Sequence, residues 1–132
     1  METVPDACVE PNAYLRDCES REVLGLLANR WSALLIGRLV DGPERFGALR
    51  RAVEGISQKV LTHNLRLLER DGLVSRTVYP TTPPSVSYAL TDLGRDVAEH
   101  LVALRSWSER HMAQIKDARR AYDERAAELT GR

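Results

Sequence analysis

The sequence predicts a mainly α protein with one small β-hairpin, an α+β fold. Apolar residues recur at helical spacing through most of the chain, whereas residues 74–79 and 85–90 alternate with a period of two. A length of 132 residues suits a single core. A composition of 43% apolar and 29% charged residues is typical of a globular chain.

Four helices are predicted before the hairpin. The second ends at Asp41-Gly42-Pro43, because glycine caps a helix end and proline cannot continue one. Ser57 is a good N-cap for the fourth, which Asp71-Gly72 ends. The connection Glu54-Gly55-Ile56 before it has the length of a helix-turn-helix turn. The four predicted helices cover residues 20–28, 31–40, 44–53 and 57–70.

The segment between the two predicted strands is stiff. Residues 80–84, Pro-Thr-Thr-Pro-Pro, are too long for a two-residue hairpin turn and contain three prolines. A stiff hairpin that directly follows a helix-turn-helix predicts a winged helix-turn-helix.

The last helix begins after Thr91, which is a suitable cap. Unbroken from Asp92 to Leu129, it would be about 57 Å long, which exceeds the width of a small domain. Its far half must fray or pack against a second copy. We therefore expect a homodimer with a long C-terminal dimerisation helix. Its predicted interface residues are Leu101, Leu104, Trp107, His111 and Ile115.

These predictions divide the chain into three parts. Residues 1–17 carry two prolines and no clear periodicity, which indicates an N-terminal arm. Residues 18–115 form the winged helix-turn-helix domain with its dimerisation helix. Residues 116–132 form a C-terminal helical extension or tail.

The sequence contains no Gly-rich phosphate loop, no nucleophile motif and no metal-ligand cluster. We therefore expect neither an enzyme nor a bound cofactor or metal. It also lacks an apolar run long enough to span a membrane, and its first 17 residues do not resemble a signal peptide. A cytoplasmic protein without a membrane partner is expected.

The charge distribution favours a nucleic-acid partner. The formal net charge is zero, from 19 basic and 19 acidic residues. Between Arg45 and Arg76, however, seven basic residues stand against three acidic ones, a local charge of +4. Positive charge concentrated around the predicted helix-turn-helix is what a phosphate backbone requires.

The fourth helix carries the residues suited to recognise duplex DNA. On a helical wheel its leucines lie on one side and its polar residues on the other. The N-terminal half of such a helix enters the major groove, where glutamine can bond adenine and lysine can bond guanine. Base contacts are predicted for Gln58, Lys59, Thr62 and His63, and phosphate contacts for Ser57 and Arg66. A winged helix used only for protein contacts would present a more apolar face.

Three further arginines are candidates for phosphate contacts. Arg50 and Arg51 lie on the preceding helix, where they either contact phosphates or belong to a solvated face. Arg76, in the first wing strand, either reaches a phosphate or pairs with a nearby acidic residue.

Several motifs, taken together, resemble one known family. They are Cys18 with Trp31, Asp41-Gly-Pro-Glu-Arg-Phe, Gly55-Ile-Ser-Gln-Lys-Val-Leu-Thr, Leu65-Arg-Leu-Leu-Glu-Arg-Asp-Gly-Leu-Val, Val78-Tyr-Pro, Pro83-Pro and Tyr88-Ala-Leu-Thr-Asp-Leu-Gly. Over roughly residues 18–104 the chain is similar to the HxlR-type winged-helix regulators of bacteria, a branch close to the MarR regulators.

This resemblance implies a homodimer that binds a palindromic operator. It also implies a dimer interface built from the N-terminal and C-terminal helices. The hypothesis for the whole chain is a sequence-specific transcription regulator that acts as a repressor. The family often has a basic residue after the paired prolines, where this chain has Ser85. The departure predicts weak anchoring of the wing tip on DNA.

The resemblance also singles out Cys18. Several family members sense electrophiles, quinones or hypochlorite through a cysteine at this position, thirteen residues before the tryptophan. One hypothesis is therefore redox or electrophile sensing by Cys18, and Cys8 could pair with Cys18 of the other subunit. The other is a buried small residue at the start of the first helix. In that case a small-molecule effector, bound between the long helix and the DNA-binding body, would release the regulator.

Overall fold

The computed structural model describes residues 9–131 and divides the chain into two compact units, Met1–Leu101 and Val102–Arg132. Residues 1–8, which include Cys8 and part of the predicted arm, lie outside the described residues. Six helices and a small sheet confirm the predicted mainly α fold with a wing. The elements are α1 Glu19–Leu27, α2 Arg30–Leu39, β1 Glu44–Arg45, α3 Phe46–Ala52, α4 Gln58–Arg70, β2 Val74–Tyr79, β3 Ser85–Leu90, α5 Asp92–Arg110 and α6 Met112–Leu129.

The core of the N-terminal unit is formed mainly by α2 and α4. Leu35, Ile36 and Leu39 of α2 are almost fully buried, as are Leu61 and Leu65 of α4. Helical spacing brings these side chains to one face of each helix. The apolar side predicted for α4 from sequence periodicity is thus buried at Leu61, Leu65 and Leu68.

The start of the predicted third helix is wrong. Glu44 and Arg45 form the strand β1, which pairs antiparallel with β3 through Glu44↔Tyr88 and Arg45↔Ser87. The sheet order is β1-β3-β2, so the hairpin is part of a three-stranded sheet. Two residues are too few to show a period of two, and their extended conformation is stabilised by pairing with a strand more than forty positions away in the chain.

The two hairpin strands coincide with the predicted ones and pair from Val74↔Leu90 to Tyr79↔Ser85. The Thr91 hydroxyl accepts from the Gly94 amide at 3.0 Å and donates to the Gly72 carbonyl at 2.6 Å. A Cβ on Gly94 would lie 2.0 Å from the Leu73 carbonyl oxygen. Only glycine therefore lets the first turn of α5 approach the chain that leads into β2.

The last helical segment is not unbroken, because α5 and α6 are separated at His111. His111 has φ −104° and ψ 12°, outside the helical region. Its ring stacks on Trp107 with centroids 4.6 Å apart, and its Nδ1 lies 2.8 Å from the Trp107 carbonyl oxygen. No glycine or proline marks this break in the sequence. Within the described part of the chain, no helix is long and apolar enough to cross a membrane.

Candidate nucleic-acid interface

The helix α4 is positioned by its cap and by its buried face. The Ser57 hydroxyl accepts from the Val60 amide at 3.1 Å, which satisfies one of the unpaired amides of the first turn. Leu61, Leu65 and Leu68 are at most 1% exposed and hold the opposite face of α4 to the core. The orientation of the polar face is therefore set by the core.

The structure places the residues predicted to contact DNA on the outer face of α4. Ser57, Gln58, Lys59, His63 and Arg66 are exposed, and Thr62 is half-buried. Five of these six side chains line one shallow surface depression; they are Gln58, Lys59, Thr62, His63 and Arg66. Donors, acceptors and two cations are thus assembled on a single helix face, which suits the mixed pattern of base edges and phosphates.

A buried polar pair behind this face was missed by the sequence analysis. Asn64 is 3% exposed, and its side-chain amide donates to the Val60 carbonyl at 2.9 Å. Ser32 of α2, fully buried, donates its hydroxyl to Asn64 Oδ1 at 3.1 Å. Because a buried polar group must be paired, this hydrogen bond holds α4 in one rotation relative to α2. An asparagine among the leucines of the buried face was the available signal.

Arg76 is paired with an acidic residue, the second of its two predicted alternatives. Its Nε lies 3.6 Å from Glu69 Oε1, and both side chains are close to half exposed. An exposed ion pair of this kind contributes little to stability, so Arg76 remains accessible to a phosphate. The pair connects the first wing strand to the last turn of α4.

Tyr88 of β3 lies beside this ion pair, opposite Arg76 in the sheet. Burial raises the pKa of Tyr88 above its ordinary value near 10; Glu69 acts in the same direction, whereas Arg76 and Arg66 lower it. The Tyr88 hydroxyl therefore stays neutral at physiological pH.

Arg50 and Arg51 lie in the last turn of α3, and both are exposed. The Arg51 guanidinium folds back along its own helix: Nη1 lies 3.3 Å from the position that a Cβ would take on Gly47. Its charge therefore lies near the first turn of α3 in this structure.

Cys18 is the N-cap residue of α1 and is 1% exposed. Its Sγ accepts from the Asn12 amide at 3.4 Å and lies 3.1 Å from the Ser20 hydroxyl oxygen. The Cys18 side chain takes part in a disulfide bond. The other cysteine of the chain, Cys8, lies outside the described residues. Its burial agrees with the hypothesis of a small residue at the start of the first helix; redox sensing stays a prediction.

The residues predicted at the dimer interface fall into two groups. Leu101, 8% exposed, belongs to the core of its own chain and leaves little surface for a partner. Leu104 and Trp107 are 60% and 49% exposed, and His111 and Ile115 are half-buried.

Residues 9–131 contain no group of three or more side chains that could hold a metal ion.

Comparison with known proteins identifies the family of this chain. The family model described as HxlR-like helix-turn-helix matches residues 26–116. YtfH of Escherichia coli strain K12, described as an uncharacterized HTH-type transcriptional regulator, is 42% identical over 118 residues, covering 89% of this chain and 91% of YtfH.

Solved structures are similar over the same region. The putative transcriptional regulator ytfH from Salmonella typhimurium has a TM-score of 0.81 at 41% identity and covers 84% of this chain and 99% of its own. The redox regulator HypR in its reduced form has a TM-score of 0.68 at 34% identity, with 74% and 97% of the two chains covered. In its oxidized form the TM-score is 0.64 at 36% identity, with 70% and 96% covered. The chain belongs to the HxlR-like helix-turn-helix family, whose members are transcriptional regulators with a winged helix.

Proposed function

We propose that this chain is a homodimeric, sequence-specific repressor that occupies a palindromic operator with α4 of each copy in the major groove. One observation carries the proposal: α4 buries its leucines in the core and presents Gln58, Lys59 and His63 on an exposed polar face. That face lies within the segment of local charge +4.

The contacts divide by position along the helix. Gln58, Lys59, Thr62 and His63 occupy the first half of α4, which is the half that reaches base edges when such a helix enters the groove. Ser57 at the N-cap and Arg66 lie nearer the flanking phosphates. Arg50 and Arg51 on α3, which precedes α4 in the chain, and Arg76 on β2, which packs against α4, add cations that position the body without selecting bases.

The dimer is supported by the second unit. None of the residues of α6 is buried, and Trp107, Tyr122 and Leu129 remain about half exposed or more. Such apolar side chains favour a partner surface, and a second copy with two-fold symmetry matches a palindromic site. The two α4 helices would then contact half-sites about 34 Å apart.

A salt titration tests the proposal. Fragmented genomic DNA is incubated with the chain, and the bound duplex is measured and sequenced. We expect binding that falls steeply between about 50 and 200 mM salt and enrichment of a palindromic sequence. Absence of duplex binding at low salt would refute the proposal.

We further propose that the redox state of Cys18 controls operator binding. The support is the similarity to HypR, a redox regulator, together with the burial of Cys18 at the start of α1. Breaking or forming the disulfide bond of Cys18 at this buried position would move its Sγ relative to packed neighbours such as Ser20.

Diamide tests this step. Wild-type protein that has first been reduced with dithiothreitol, which opens the disulfide bond of Cys18, should bind operator DNA. Diamide should then release it, and a second dithiothreitol treatment should restore binding. The Cys18→Ser variant should stay bound in diamide; equal release of both proteins would contradict the proposal.

A second candidate signal is a small molecule. The N-terminal unit has a cavity of about 410 Å³ whose apolar lining includes Leu27, Leu73 and Val97, with Asp71 and Asp96 beside them. A cavity of this volume can hold a small ligand. Its two carboxylates favour a ligand that combines a protonated amine with an apolar group. If an amine is the signal and Cys18 has only a structural role, such amines should raise the melting temperatures of wild type and Cys18→Ser equally. Diamide should then leave operator binding unchanged.

A further inference from the structure

The wing receives a cation from a strand outside the hairpin. Its tip has Ser85 after the paired prolines, yet Arg45 of β1 lies beside it in the three-stranded sheet. The Arg45 guanidinium carbon is 5.5 Å from the centroid of the Tyr79 ring, at the end of β2. We propose that Arg45, supported by Tyr79, is a binding site for a phosphate of the DNA backbone beside the groove that α4 enters. The inference rests on the proposed DNA-binding function.

Arg45 is available for an outside ligand. Its side chain is exposed, and although Arg45 is the N-cap residue of α3, that side chain makes no capping hydrogen bond. Across residues 9–131 no carboxylate forms an ion pair with it, whereas its strand neighbour Glu44 pairs with Arg38 at 3.0 Å. Among the described residues, no carboxylate therefore neutralises the charge of Arg45.

Tyr79 holds the guanidinium in place. The Tyr79 ring is 40% exposed, and its hydroxyl oxygen lies 3.5 Å from the Ser87 hydroxyl oxygen. Ser87 is also the residue opposite Arg45 in the sheet. A guanidinium over an aromatic face keeps the N–H groups at its edge free, and these fit two oxygens of a phosphate.

A second cation increases the local positive potential. The Arg51 Nη1 lies against Gly47, two residues after Arg45. Both guanidinium groups thus lie near the start of α3, at its junction with the sheet that bears the wing. A phosphate at this junction would be attracted by both, with Arg45 as the direct contact.

The Arg45→Gln variant tests the site. Binding of the selected operator and of a scrambled duplex is measured by fluorescence anisotropy over a range of salt concentrations. Because a phosphate contact carries no sequence information, we expect Arg45→Gln to weaken both complexes by the same factor, about tenfold for each arginine–phosphate hydrogen bond that is removed. The slope of log K against log salt should become less negative by about 0.9 per copy of the chain.

The matched control is Arg125→Gln, which removes an exposed cation of α6 and leaves Arg45, Tyr79 and the Arg38–Glu44 ion pair in place. It should keep the wild-type salt slope. Tyr79→Leu should weaken binding more than Tyr79→Phe, since only the second keeps the aromatic face. Arg45→Lys keeps the charge without the planar edge, so it should bind more tightly than Arg45→Gln and less tightly than wild type.

The inference is overturned if Arg45→Gln and wild type have the same salt slope, or if Arg45→Gln loses operator binding but keeps scrambled-duplex binding. Failure of the proposed function itself is distinguishable, because wild type would then bind no duplex at low salt. A thermal unfolding curve for each variant excludes loss of the fold as the cause.

Discussion

The helices α4 and α6 differ in how much of their surface the same chain covers. In α4, of 13 residues, Leu61, Asn64, Leu65 and Leu68 are buried, whereas in α6, of 18 residues, none is. Both sequences contain apolar residues, so composition alone does not explain the difference. The N-terminal unit completes its own core and leaves a polar face exposed. The second unit leaves apolar side chains exposed, and these fit a partner better than they fit water.

The largest contrast is expected in stability. Leu61→Ala removes a fully buried side chain and should lower the free energy of unfolding by about 2–5 kcal/mol. Leu129→Ala, at a position 88% exposed, should change it by less than about 0.5 kcal/mol. Urea unfolding followed by circular dichroism measures both. Similar losses for the two variants would show that α6 is covered as well as α4.

Self-association, unlike the stability of the fold, should depend on the exposed apolar side chains of the second unit. Trp107→Ala removes a half-exposed aromatic side chain of the second unit and should weaken the dimer by about 2 kcal/mol, roughly thirtyfold in Kd. Sedimentation velocity over a dilution series measures the change. The control is Gln114→Ala, an exposed polar position of α6, which should leave the dimer intact. A wild-type protein that stays monomeric on its operator would contradict the prediction.

Operator recognition should depend on the polar face of α4. Gln58→Ala should reduce affinity for the selected operator by about 1–3 kcal/mol because a hydrogen bond to a base is removed, with little effect on scrambled duplex. Gln114→Ala makes the same change in α6 and should bind both duplexes as wild type does. Equal weakening on both duplexes would identify Gln58 as a phosphate contact.

The smallest effect is expected from Tyr88 and appears only at alkaline pH. Because the pKa of Tyr88 is raised in the folded state, the folded protein binds the phenolic proton more tightly than the unfolded chain does. The associated stability is fully present below about pH 10 and is lost as the pH rises through the folded-state pKa. Tyr88→Phe should therefore lose less stability than wild type between pH 9 and pH 11, measured by urea unfolding. Parallel curves for the two proteins would contradict this prediction.

The elements of the DNA-binding region were predictable because their ends are determined by local chemistry. Ser57 caps α4 with its own hydroxyl, Gly72 adopts a positive φ of 77° after it, and Thr91 caps α5. The polar face of α4 followed from helical periodicity for the same reason. Each of these features depends on residues within a few positions of one another.

Contacts between distant residues were not predictable in this way. The pairing of Glu44 with Tyr88, the hydrogen bond from Ser32 to Asn64 and the approach of Arg45 to Tyr79 all join separate elements. The break at His111 is short-range, but no helix-breaking residue accompanies it.

By itself, the sequence determined the two strands of the hairpin, most of the helical segments, the caps Ser57 and Thr91 and which face of α4 is polar. Periodicity and capping act over one or two helical turns, so residues close together in the sequence determine these properties. Only the tertiary structure decided that the wing has a third strand and that Arg45 stands beside Tyr79. Contacts of this kind depend on which helices and strands pack or pair with one another. No pattern of neighbouring residues in the sequence specifies that packing.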